Sequence, residues 1–105
     1  MKNIRIGQKE IIHFLGIGGI GMSGLAQVMK NMGFNIQGSD QNKNKSTSNC
    51  SKAGIKVFTG HSKKNIKNAT IVVKSSAIKN NNVEIKQARI KKIPMTSSFD
   101  NLIWS

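Results

Sequence analysis

Ile11-Ile12-His13-Phe14-Leu15-Gly16-Ile17-Gly18-Gly19-Ile20-Gly21-Met22-Ser23 is the stretch from which this chain can be read. A short apolar run ends at a cluster of glycines, and a helical pattern begins at once. Gly16, Gly18 and Gly21 fit the G-x-G-x-x-G spacing. That spacing lets a strand turn tightly into a helix while the backbone approaches a pyrophosphate at the helix N-terminus. The motif gains meaning from its context of a strand before, a helix after and an acidic residue about 20 positions on. Asp40 stands 24 positions after Gly16, at the end of a second apolar run. At Gly18 the spacing implies backbone so close to the diphosphate that a β-carbon would occupy ligand space.

Read from Gly16 to Ser23, the same residues give G-x-x-x-x-G-Met-Ser, one residue short of a nucleoside-triphosphate loop. Met22 stands where that loop needs a lysine to reach the β- and γ-phosphates. The turn therefore suits a diphosphate and not ATP hydrolysis.

Outward from the turn, Met22, Leu25, Ala26, Met29 and Met32 recur at helical spacing, and Gly33 supplies a left-handed stop. Ile11–Leu15 is the first predicted strand, apolar enough to be buried on both faces, with His13 a packed core residue. The second strand is Phe34–Ser39, closed by Asp40. A short helix capped by Ser46 or Thr47 follows, then strands at Ile55–Thr59, Thr70–Lys74 and Ile93–Thr96. Asn80 to Asn82 cap a basic helix running to about Lys91, and a last helix starts at Ser98. Residues 1–10 read as a loose polar lead-in to a single domain over 11–105. Strand alternating with helix predicts an α/β, Rossmann-like open parallel sheet of about five strands in the order 3-2-1-4-5, with helices on both faces. Its switch point brings the glycine turn, Asp40 and Ser75-Ser76 around one crevice.

The chain has 105 residues, 17 basic and four acidic, for a net charge of +13. A nucleic-acid reader usually carries arginines for base edges and aromatics for stacking. Here only Arg5 and Arg89 occur, aromatics are 5% of residues, and the lysines are scattered. The charge reads as compositional drift with a modest attraction for anions, and not as a specific nucleic-acid surface. The single cysteine, Cys50, forms no internal disulfide and fits a reducing, cytoplasmic setting. No apolar stretch is long enough to span a bilayer.

His13 to Ala26, with Gly38-Ser39-Asp40, Gly60-His61, Ser75-Ser76-Ala77-Ile78 and Ile93-Pro94, closely resembles the opening of the UDP-N-acetylmuramate–L-alanine ligases of the Mur ligase family. The sister murein tripeptide ligases share the glycine turn and the Gly-Ser-Asp element, but Gly-Ile-Gly-Gly and Ser-Ser-Ala-Ile favour the alanine ligases. The resemblance implies a domain that holds UDP-N-acetylmuramate for a cell-wall peptidoglycan ligase. In such enzymes a separate middle domain binds ATP and Mg²⁺, and a C-terminal domain helps bind the amino acid. ATP then phosphorylates the muramoyl carboxylate and the amine of L-alanine attacks the acyl phosphate. By position, Gly16 and the amides of Gly18, Gly19, Ile20 and Gly21, with Met22 and Ser23, would face the diphosphate. Asp40 would hold the uridine end, and His61, Ser75 and Ser76 would line the rest. No triphosphate loop occurs in these 105 residues, so no catalytic residue, metal ligand or cofactor is expected here, and the chain is expected to be inactive alone. Whether it is a fragment, a free-standing domain or a decayed gene product stays open. Cys50, Lys74 and Lys63, Lys64 and Lys67 depart from the family's usual residues. The alternative from another class is a nicotinamide-dinucleotide-binding regulatory module, because Asp40 could equally hold an adenosine ribose.

Overall fold

The computed structural model describes residues 3–104, and the side chains of residues 3–102. Strand β2 (Ile11–Leu15) is the centre of a five-stranded, wholly parallel sheet. It pairs with β3 (Asn35–Asp40) on one side and β5 (Ile71–Lys74) on the other, with β4 (Lys56–Thr59) and β6 (Met95–Thr96) at the edges. Counted from Ile11–Leu15 as the first strand, the order across this sheet is the expected 3-2-1-4-5. A strand before it shifts the labels by one. Helices α1 (Met22–Asn31) and α2 (Lys45–Lys52) follow β2 and β3, and α3 (Val83–Ile90) follows β5.

The sheet has a core on each face because alternate side chains of a strand point opposite ways. Ile12, Phe14, Ile71 and Val73 face Met22, Ala26, Met29 and Cys50 in one cluster. Leu15 and Val72 face Ile66, Ile85 and Ala88 in the other. This two-sided burial explains why β2 reads as an unbroken apolar run. His13 belongs to the second face, and it is fully buried there, as expected.

Gly38 is required by the register. It lies opposite Phe14, and a β-carbon on it would stand 2.7 Å from the Phe14 carbonyl oxygen and 2.6 Å from Ile17 Cδ1. No side chain fits between the strand and the turn that leaves it.

Three local expectations are corrected. Within the expected lead-in, Ile4–Ile6 is strand β1, paired in parallel with β7 (Leu102–Trp104) in a separate two-stranded sheet, and residues 1 and 2 lie outside the described residues. Ile6 and Leu102 are buried in the first core cluster, so hydrophobic burial fixes the pair. The residues after Ser98 do not form a helix that runs on; one 3-10 turn, Phe99–Asn101, leads directly into β7. The cap of α2 is Asn44, not Ser46 or Thr47. Asn44 and Thr47 form a reciprocal capping box, with Thr47 at the third helical position. For α3 the expected cap holds, since Asn82 accepts from the amide of Glu84.

Candidate functional site: a glycine turn at the carboxyl end of the sheet

The chain leaves β2 at Gly16, whose φ of 85° is a left-handed conformation that glycine adopts without strain. The amides of Gly16 and Ile17 both donate to the carbonyl of Ser39, at 2.8 and 3.0 Å, tying the turn to the end of β3. Gly19 N–H donates to Gly16 O and Met22 N–H to Gly19 O. Asp40 closes the arrangement: its Oδ2 accepts from the amide of Gly18 at 2.8 Å, and its Oδ1 from that of Asn42.

The amides left over are those of Ile20, Gly21, Ser23 and Gly24, which have no protein acceptor among the described residues. They surround the start of α1, where Gly21 is the cap with φ 79° and no side chain satisfies the first-turn N–H groups. A helix start in this condition carries partial positive charge and unsatisfied donors, which suits an anion.

The predicted site residues fall into two groups. Gly16, Gly18, Gly19, Ile20, Gly21, Ser23, Asp40 and Ser75 surround the turn. A β-carbon on Gly16 would meet Ser75 Cβ at 3.0 Å, and one on Gly19 would lie 3.6 Å from Ser75 Oγ, so the ends of β2 and β5 meet across the turn. Ser76 is exposed just beyond. Ile20 stands fully in solvent, whereas the Met22 side chain is buried in the core. Met22 thus serves packing, and its amide is already used within the turn. At Gly18 a β-carbon would meet Asp40 Oδ2 and Thr47 Cγ2 at 2.9 Å and Asn44 Nδ2 at 3.0 Å, so the protein itself already excludes a side chain there.

His61 belongs to the second group, a buried cluster at the same end of the sheet. Its centre is Glu84, a fully buried carboxylate on α3 that the sequence reading passed over. Oε1 accepts from His13 Nε2 at 2.7 Å and Ser39 Oγ at 2.8 Å. Oε2 accepts from His61 Nδ1 at 2.9 Å, Asn65 Nδ2 at 2.9 Å and the Ser62 amide at 3.2 Å. Burial alone would push this carboxyl up, but the bonds from His13, Asn65 and His61 outweigh it and hold Glu84 at about 2, below its usual 4.5. Gln37 Nε2 donates both to Asn65 O and to His13 Nδ1, each at 2.8 Å. His13 therefore accepts on Nδ1 and carries its proton on Nε2, toward Glu84. Among the described residues no buried side-chain nitrogen or oxygen lacks a partner, and no cluster suited to a metal ion occurs.

A cavity of about 690 Å³ is elsewhere, between the β1–β7 pair and the β5–β6 edge, lined by Ile4, Arg5, Ile71, Lys74, Arg89 and Met95 among others. It contains none of the turn residues. Among the described residues no helix is long and apolar enough to cross a membrane.

The model of the Mur ligase family, catalytic domain, matches residues 11–102, from β2 into β7. This chain belongs to the Mur ligase family. A UDP-N-acetylmuramate–L-alanine ligase of Pelagibacter ubique is 59% identical over 92 residues, which cover 88% of this chain and 20% of that protein. The enzyme of the same name from Rickettsia typhi is 55% identical over 84 residues, 80% of this chain and 17% of the relative. Among solved structures, the UDP-N-acetylmuramate–alanine ligase of Thermotoga maritima is similar with a TM-score of 0.77 and 38% identity, over 81% of this chain and 20% of that one. A murein peptide ligase of Psychrobacter arcticus has the same TM-score at 27% identity, over 84% of this chain and 19% of that one. This member of the Mur ligase family thus spans about a fifth of the length of the relatives it matches.

Proposed function

We propose that this Mur ligase domain binds UDP-N-acetylmuramate, as the substrate-holding part of a ligase that adds L-alanine to it with ATP in peptidoglycan synthesis, and that it is not catalytic alone. The observation that carries the reading is the set of unpartnered amides at Ile20, Gly21, Ser23 and Gly24. They directly follow the part of the turn, Gly16–Gly19, that is flanked by Asp40 and Ser75, in a chain 59% identical to a named alanine ligase. Oriented N–H groups at a helix start recognise a diphosphate without needing a lysine. With Met22 buried where a triphosphate loop places its lysine, ATP and Mg²⁺ belong to other domains of such an enzyme and no cofactor belongs to this one. Cys50, buried and unpaired, fits a cytoplasmic protein.

The test is calorimetric titration of the 105-residue chain with UDP-N-acetylmuramate, NAD and single-stranded DNA, at low and physiological salt. Binding of the sugar nucleotide should survive physiological salt. DNA binding should be weak and fall steeply with salt, as counterion release requires for scattered lysines. Preference for NAD, or salt-resistant DNA binding without sugar-nucleotide binding, would overturn the reading.

A further inference from the structure

His61 is held by one ring nitrogen and free at the other. Its Nδ1 lies 2.9 Å from Glu84 Oε2 and 3.3 Å from Ser39 Oγ, whereas Nε2 has no protein partner among the described residues. The side chain is 12% exposed. A carboxylate only accepts hydrogen bonds, so Nδ1 carries the proton and the free nitrogen is Nε2. The cluster also fixes the ring's position. His61 follows Gly60, whose amide donates to the carbonyl of Asp40 at 2.7 Å. Ser39, which bonds Glu84 through its hydroxyl, accepts the Gly16 and Ile17 amides through its carbonyl. The histidine is therefore attached to the two residues that hold the glycine turn.

We propose that Glu84 is a positioning residue of the sugar-nucleotide site: its carboxylate takes the Nδ1 proton of His61 and so commits Nε2 of that ring to an oxyanion of the bound ligand. The proposal rests on the sugar-nucleotide reading above. Hydrogen bonding of Nδ1–H to a carboxylate fixes the tautomer and the direction of Nε2, the relation by which carboxylates orient working histidines elsewhere. A proton taken from solvent onto Nε2 gives the ring a second N–H, and an anionic oxygen of the ligand accepts a charge-assisted hydrogen bond from it. The groups facing the His61 ring are Glu84 from α3 and Ser39 from β3. His13 from β2 reaches it through those two, and Ser62 and Asn65 share the carboxylate from its own segment.

Two substitutions of His61 divide the ring's roles. In His61→Asn the amide nitrogen stands near the place of Nδ1 and keeps the bond to Glu84 while deleting Nε2. In His61→Gln the amide reaches toward Nε2 and gives up the Glu84 bond. The proposal expects His61→Asn to fold with stability near that of the wild type, yet bind UDP-N-acetylmuramate roughly fivefold more weakly or worse, as loss of a charged hydrogen bond does. Glu84→Gln should weaken binding by a similar factor, and the double variant Glu84→Gln/His61→Asn should add little, because both changes remove one contact. Long-range ¹H–¹⁵N spectra of the free chain should show His61 protonated on Nδ1, and that signature should be lost in Glu84→Gln. Wild-type affinity in a folded His61→Asn would overturn the proposal, as would an Nε2-protonated His61 in the free wild type. If Glu84→Gln does not fold, His61→Asn and the wild-type spectrum decide alone, with His61→Gln expected to lose stability along with the Glu84 bond. Failure of the wild type to bind the sugar nucleotide at all would sink the functional reading and the ligand contact together. The spectrum would then separate that failure from an error in the Glu84–His61 geometry.

Discussion

The glycine turn and the Glu84 cluster share Ser39, whose carbonyl serves one and whose hydroxyl serves the other, yet they treat polar groups in opposite ways. Around Glu84 five donors converge on one carboxylate, and among the described residues only Nε2 of His61, at the edge of the cluster, is left without a protein partner. At the turn, four backbone donors have no acceptor among the described residues, at the start of a helix. A satisfied buried network fixes one arrangement, whereas unsatisfied exposed donors are poised for a partner. The molecule thus uses the first to hold the second in place.

If that division is right, the largest stability loss should come from the cluster. Glu84→Ala would leave two imidazole N–H groups, a hydroxyl, an amide side chain and a backbone N–H around an empty site. Breaking a buried charged network by removing one partner costs roughly 3–5 kcal/mol, a large share of the stability of an ordinary domain, so the urea midpoint of Glu84→Ala should fall steeply. The same group controls acid stability. A carboxyl held at about 2 instead of 4.5 contributes stability fully present above its unfolded value. That contribution, at most about 3 kcal/mol, is lost as the pH falls from about 4.5 toward 2. Glu84→Gln should flatten the decline of melting temperature over that interval. An unchanged acid profile would mean that the other side-chain carboxyls, Glu10, Asp40 and Asp100, dominate.

How differently the two regions appear in the sequence follows from the range of their contacts. Gly16, Gly18 and Gly21 lie within six positions and announce their turn locally, and Asp40 falls at the spacing the motif demands. The five parallel strands were legible for a similar reason, since each apolar run ends at its own glycine, asparagine or serine punctuation. Glu84 gathers His13, Ser39, His61 and Asn65 from three distant segments, and it looked like one more charge on a helix rich in Lys86, Arg89 and Lys91. One signal was available: Glu84 sits beside Ile85 and four residues before Ala88, on the buried side of α3. The β1–β7 pair was hidden by distance too. Phe99-Asp100-Asn101 looks locally like a helix start, and the partner that makes Leu102–Trp104 a strand is at the other end of the chain.

Gly38 is the next test, because it supports the turn from below. Gly38→Ala places a methyl against the Phe14 carbonyl and Ile17, neither of which moves freely, so about 2–3 kcal/mol of stability should be lost through overpacking. A loss under about 0.5 kcal/mol in the urea midpoint would show that β3 and the turn shift together without strain. Gly18→Ala should cost somewhat less, roughly 1–2 kcal/mol, because Asp40, Asn44 and Thr47 present side chains that yield more than backbone does. Its weakened sugar-nucleotide binding should be traceable to lost Asp40 geometry. Asp40→Ala, which removes the acceptor of the Gly18 amide, should therefore weaken binding in the same direction.

Gly24→Ala should have the smallest effect and the opposite sign. Gly24 is the third residue of α1, its φ is in the ordinary negative range, and a β-carbon on it meets nothing within 4 Å. Nothing in the free chain requires glycine there, and alanine favours a helix by roughly 0.5–1 kcal/mol. Thermal unfolding of Gly24→Ala should thus rise by a few degrees, the scale expected for a domain of this length. The amide at position 24 survives the substitution, so the donor array proposed for the diphosphate is intact. Affinity then reports only whether the ligand approaches the α-carbon as closely as it approaches the N–H. Unchanged affinity would place the diphosphate on the helix axis, reached by the amides alone. A tenfold loss in this more stable variant would place it against the flank of the first turn, and would give Gly24 a role in binding that no packing in the free domain calls for.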